Sequence, residues 1–182
     1  MQELKFVEFV EFFLENPYKE VYIRELAKKL NLSPFAVKKY ADILVKEMML
    51  SDEKRANLRY LMANTSSLFY RHAKIAHNIR KLVNSGLMES IKENIVNLSS
   101  IVLFGSLAKG EDKVESDVDI IIIGKEKHLE LGKFENAIDK EINIHYFSWN
   151  QWNKMAKEKD PFYYEVINSG ISLYKELPIV HI

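Results

Sequence analysis

Ile101-Val102-Leu103-Phe104-Gly105-Ser106, followed after ten residues by Asp117-Val118-Asp119-Ile120-Ile121-Ile122-Ile123, is the stretch that decides the fold. The first apolar run ends at a Gly-Ser turn, and the second opens on two carboxylates one residue apart. Side chains of a strand alternate between faces, so Asp117 and Asp119 point the same way. Aspartate is disfavoured in strands, and two on one face of a buried sheet repel each other unless positive charge sits between them. A hard divalent cation such as Mg2+ meets that need and keeps part of its coordination for phosphate oxygens. Where the Gly-Ser turn opens a helix, backbone N–H groups without intrahelical partners face an anion. The residues therefore point to a metal–nucleotide site; the alternative is a pair of solvated aspartates at a strand end.

The surrounding chain sets the bounds. At 182 residues, with 47% hydrophobic and 29% charged residues, it has room for one large or two small globular domains. Lys plus Arg and Asp plus Glu both number 26, but unevenly: net +1 over residues 1–65, +3 over 66–97 and −4 over 98–182. An acidic C-terminal half argues against nucleic acid lying across its whole surface. There is no cysteine, which excludes disulfides and thiolate metal sites. Glu3, Glu8, Glu11 and Glu15 break the apolar runs that a signal peptide needs, and no apolar stretch is long enough for a membrane span. The expected location is cytoplasmic, without a membrane partner.

Upstream, Phe6, Phe9, Val10 and Phe13 follow the spacing of an amphipathic helix, which Asn16-Pro17 stops. A second helix is predicted from about Ile23 to Leu30, with Ile23, Leu26, Ala27 and Leu30 inward. After Asn31-Leu32, Ser33 is a good N-cap and Pro34 suits the first helical position, so a third helix runs from about Pro34 to Glu47 with Val37, Ala41 and Leu44 inward. Two helices joined by so short a turn read as a helix-turn-helix. Met49 to Asp52 and Leu58 to Met62 then read as strands around a basic turn at Glu53–Asn57. Residues 1–65 as a whole resemble the winged helix-turn-helix domains of prokaryotic transcription regulators. The resemblance implies that the third helix enters a major groove of double-stranded DNA, with Ser33, Phe35, Lys38 and Lys39 leading, and that Lys54, Arg55 and Arg59 touch phosphate. Winged helices also serve as protein-interaction modules, and that alternative stays open.

Residues 66–97 read as connecting helices: one capped by Ser66-Ser67 from about Leu68 to Ser85 and ended by Gly86, then one from Leu87 to Asn94. His72 and His77 are five apart, off a common helix face, and read as surface histidines.

Residues 98–182 resemble the minimal nucleotidyltransferases of the DNA polymerase β superfamily, on Phe104-Gly105-Ser106-Leu107-Ala108-Lys109-Gly110-Glu111 and Ser116-Asp117-Val118-Asp119-Ile120. The family signature is a Gly-Ser, about ten residues, then Asp-x-Asp at the start of a strand. The resemblance implies that Gly105 and Ser106 hold a triphosphate, with Lys109 and Ser116 as further nucleotide contacts. It also implies that Asp117 and Asp119 bind Mg2+ or Mn2+. The reaction moves a nucleotidyl group from an NTP, with ATP the expected one, to an acceptor and releases pyrophosphate. Glu141-Ile142-Asn143, with Asp160-Pro161-Phe162 downstream, resembles a subgroup that joins this domain to a winged helix.

Catalytic members of the family use a third carboxylate from a later strand. Here that strand is Glu141 to Phe147, with Ile142, Ile144 and Tyr146 inward and Glu141, Asn143 and His145 on the other face. The expected aspartate position holds Asn143, which brings no charge and takes no proton. Glu141 has the right chemistry and is the third catalytic candidate, but sits two residues early, about 7 Å along a strand. His145 can serve as a base; ordinary strand-edge polarity is the alternative reading for both residues, and the one preferred.

The expected fold class is thus α+β: an N-terminal winged helix-turn-helix, connecting helices, and a C-terminal nucleotidyltransferase-like α/β domain with a mixed sheet. Two functions compete, beside a blander reading as a scaffold in which neither module keeps its ancestral activity. One is a transcription regulator whose nucleotidyltransferase-like domain binds a metal nucleotide as a sensor, with a homodimer as the prior. The other is an active nucleotidyltransferase, antitoxin-like, acting on a protein, RNA or small molecule.

Overall fold

The phenylalanine stripe of the first helix is its core face, with Phe9 and Phe13 buried together with Phe12. The computed structural model describes residues 2–181, and the chain divides into two compact units, one ending at His77 and the other beginning at Asn78. The division falls inside the stretch expected to connect the domains.

The N-terminal unit runs α1 (Gln2–Glu15), β1 (Val21–Tyr22), α2 (Ile23–Lys29), α3 (Pro34–Lys46), β2 (Leu50–Arg55) and β3 (Leu58–Ala63), then the first part of α4 (Leu68–Asn84). Its three strands form an antiparallel sheet in the order β1-β3-β2. Ser33 caps α3, its Oγ accepting from Ala36 N at 3.1 Å, and Pro34 fills the first turn. Leu26, Val37, Ala41, Leu44, Leu61 and Tyr70 close the core on α1. Two readings are corrected here. Glu53, Lys54 and Arg55 lie in β2, not in a turn; the hairpin turns tightly at Ala56-Asn57, with Ala56 at φ 51°. His77 is buried, not a surface histidine, with Nε2 3.7 Å from a Glu15 carboxylate oxygen.

The C-terminal unit takes the end of α4 and continues through α5 (Leu87–Asn94), β4 (Ser100–Phe104), α6 (Gly105–Lys109), β5 (Val118–Ile123), α7 (Gly132–Ile138), β6 (Ile142–Phe147), α8 (Trp149–Lys157), α9 (Pro161–Ser169) and β7 (Ile171–Tyr174). The sheet order is β6-β5-β4-β7. β5 and β6 are parallel and the other pairs antiparallel, so the sheet is mixed. Helices cover both faces. Ile101, Leu103, Val118, Ile120 and Ile122 share one core with Leu82, Leu87, Ile91 and Phe134. Val102, Phe104, Ile121 and Ile123 share the other with Trp152, Tyr163 and Val166. Burial on both faces explains the unbroken apolar runs of β4 and β5. Asp119 is the one ionisable residue within them. Asp160-Pro161-Phe162 is a helix start: Asp160 Oδ1 accepts from Phe162 N at 2.8 Å and Pro161 opens α9.

Candidate functional site

The corner between β4 and α6 is built around Gly105. Its φ is +73°, a left-handed conformation that only glycine takes without strain. A Cβ there would stand 2.6 Å from Asp119 Oδ2, and Asp119 is the cross-strand partner of Phe104, the residue before the turn. Two constraints, backbone conformation and close approach, thus select the same glycine. The Gly-Ser turn and the second aspartate form one corner.

Asp117 ends the preceding loop and Asp119 follows Val118 in β5. In the parallel register Asp119 stands opposite Asn143 of β6. Asn143 Nδ2 donates to Asp117 Oδ2 at 3.2 Å. Burial pushes the Asp119 carboxyl up from its ordinary value; the Asn143 amide and His145 pull it down, and the Asp117 charge pushes it further up. His145 is exposed, with its ring 5.5 Å from that of Phe104 and 6.2 Å from that of Phe162.

The remaining candidates are placed as follows. Ser116 closes the loop before Asp117, its Oγ accepting from Lys113 N at 2.9 Å. Lys109 pairs with Glu165 at 3.0 Å. Glu141 precedes β6 with its carbonyl accepting from Val118 N at 2.8 Å. Among the described residues no group of three His, Asp or Glu side chains is placed to hold a metal. The donor set is two carboxylates beside the Gly105-Ser106 turn. That fits a hard cation such as Mg2+, which is commonly held by one or two carboxylates with substrate phosphates completing its shell.

Three residues that support this loop escaped the sequence reading. Lys140 Nζ donates to the carbonyls of Lys113, Val114 and Ser116 at 2.7, 3.1 and 3.0 Å. The buried Asp112 lies 3.8 Å from the same ammonium and accepts from Asn78 Nδ2 at 2.7 Å. Asn78 also donates to Leu107 O at 3.3 Å, on α6. The loop carrying Asp117 is therefore held at both ends. Nothing in the spacing of 78, 112 and 140 signals this, because the three meet only in the fold.

In the N-terminal unit, Phe35 is 79% exposed on the first turn of α3, with Lys38 and Lys39 on the next turn also exposed. An open groove of about 630 Å3 lies between α3 and the β2–β3 hairpin, with Arg24, Phe35, Lys38, Lys54 and Leu58 among its lining. Arg59 is bound to Asp42 and Asp52, and Arg55 to Glu20 and Glu53. The Ser33 hydroxyl is taken up as the helix cap.

The family model described as Polymerase beta, Nucleotidyltransferase matches residues 87–178. No curated protein matches the chain. Among the described residues, no helix is long and apolar enough to cross a membrane.

Proposed function

The chain belongs to the polymerase beta nucleotidyltransferase family, and from that premise we propose that its C-terminal unit binds a divalent-metal complex of a nucleoside triphosphate, with ATP the expected one. The observation that carries this reading is the single corner made by Gly105 and Asp119, where a Cβ would meet the carboxylate at 2.6 Å. Asp117 and Asp119 are the residues to hold Mg2+ or Mn2+, which when bound neutralises phosphate charge. The backbone at Gly105 and Ser106 lets the triphosphate approach closely, as no side chain at position 105 stands in the way. Lys109 and Ser116 are secondary contacts, since both are already engaged within the protein. Calorimetry with ATP and Mn2+ tests the reading. Binding should be lost in Asp117→Ala/Asp119→Ala and in EDTA; ATP affinity that ignores both treatments would sink it.

Binding without turnover is favoured over transfer. Asn143, opposite Asp119, accepts no proton, and Glu141 lies two residues earlier, before the start of β6. The enzyme reading, with Glu141 as third carboxylate and a protein, RNA or small-molecule acceptor, is separated by one assay. Label from α-labelled NTP appearing on any component of a cell extract, and lost in the double-alanine variant, establishes transfer.

The N-terminal unit is read as a winged helix that binds duplex DNA, which makes the whole chain a nucleotide-sensing regulator, dimeric on a two-fold site. The supporting observation is the sorting of charge. Asp42, Asp52, Glu20 and Glu53 are bound up with Arg59 and Arg55, while Arg24, Lys38, Lys39, Lys46 and Lys54 are exposed around the grooves beside Phe35. A net charge near zero thus hides a basic face suited to phosphate. Duplex binding measured by fluorescence anisotropy should weaken steeply with salt and in Lys38→Ala/Lys39→Ala. Undetectable binding at low salt would end this reading.

A further inference from the structure

Asn143 stands opposite Asp119 in the parallel register of β5 and β6, and it turns its donor end, Nδ2, to Asp117 Oδ2 at 3.2 Å. A side-chain amide has one end that donates and one that accepts. Two adjacent carboxylates offer only acceptors, so the donor end faces them. The oxygen that accepts from Nδ2 belongs to one of the two carboxylates assigned to the metal. An N–H directed at that oxygen takes up one of the carboxylate's acceptor sites and competes there with a cation, and an amide nitrogen is itself no ligand for a hard ion.

Resting on the metal–nucleotide reading above, we propose that Asn143 is an amide latch that competes with the metal, holding the aspartate pair together when no cation is present and yielding when one enters. The latch sets the divalent affinity. A carboxylate in its place would repel Asp117 and Asp119 in the empty site, whereas the amide bridges them. Asn143 is therefore a positioning residue that lets the empty site persist folded and makes metal entry an exchange of partners.

The opposite assignment, Asn143 as a metal ligand through its oxygen, predicts the opposite result, and Asn143→Ala and Asn143→Leu separate the two. Leucine keeps much of the volume and removes both polar ends. Mn2+ affinity is read by electron paramagnetic resonance of free Mn2+, without nucleotide and with ATP. Both variants should bind Mn2+ more tightly than wild type, by about threefold to tenfold, the range for the net worth of one partly exposed hydrogen bond. Their thermal midpoints should fall below wild type in EDTA and return toward it with saturating Mn2+, a recovery that also certifies their fold. Unchanged or weaker Mn2+ binding in both variants overturns the latch while leaving the metal site standing. Wild-type protein that binds no Mn2+ with or without ATP overturns the site and the latch together.

Discussion

Asp119 carries a conflict that its neighbours only partly resolve. Burial raises its carboxyl above the ordinary value, and the Asp117 charge adds to the rise against the pull of Asn143 and His145. A carboxyl whose folded value is raised binds its proton more tightly in the native state than in the unfolded chain. The stabilisation from that proton is full below the unfolded value and is lost as pH rises through the folded one. At neutral pH the ionised Asp119 is thus a cost to the metal-free protein. Asp119→Asn should raise the thermal midpoint in EDTA at pH 7, and the gain should vanish as the scan is repeated toward acid pH. A midpoint lowered at pH 7 would contradict this account. Gly105→Ala should act in the other direction. Forcing a left-handed alanine against the Asp119 carboxylate costs about 1–3 kcal/mol, seen as a lower urea midpoint, and should abolish ATP binding.

At the level of elements, the loop from Gly110 to Asp117 depends on a lysine borrowed from the short link between α7 and β6. Lys140 donates to three carbonyls of that loop, so Lys140→Met should speed amide hydrogen exchange at residues 113–117 and weaken Mn2+ binding, while exchange in β4 and β5 stays slow. Equal exchange in wild type and variant would show that the clamp is dispensable. Elements were legible in the sequence where local chemistry decided them. Ser33-Pro34 announced α3, and the Ile120–Ile123 run announced a buried strand. β1 escaped because two residues carry no period and are defined only by pairing with Leu61 and Tyr60. The far half of β2 escaped because Ser51 to Arg55 are all exposed, which removes the alternation that marks a half-buried strand. The Gly105, Ser106, Asp117 and Asp119 motif was legible because its spacing is local. Asn78, Asp112 and Lys140 were not, because only the fold brings them together.

Across the whole chain, equal numbers of acidic and basic residues conceal the separation of charge that the DNA reading uses. Releasing Arg59 from its two carboxylates tests that reading from a new side. Asp42→Asn/Asp52→Asn should tighten duplex binding and steepen the salt dependence by about one phosphate contact, a slope change near ~0.9 in log K against log salt. An unchanged slope would place Arg59 outside the interface. The aromatic residues packed on the Val102 and Ile121 face of the C-terminal sheet have a separate, practical consequence. Both tryptophans of the chain, Trp149 and Trp152, lie on α8. Trp152 is fully buried against Phe147 and Tyr163, and its Nε1 donates to Pro178 O at 2.7 Å. Intrinsic fluorescence excited at the indole band therefore reports on the nucleotidyltransferase unit alone, whereas far-ultraviolet ellipticity reports on both. Denaturation curves from the two signals coincide if the units melt as one cooperative body and separate if they do not. The native sequence thus carries its own optical label for the half that holds Asp117 and Asp119.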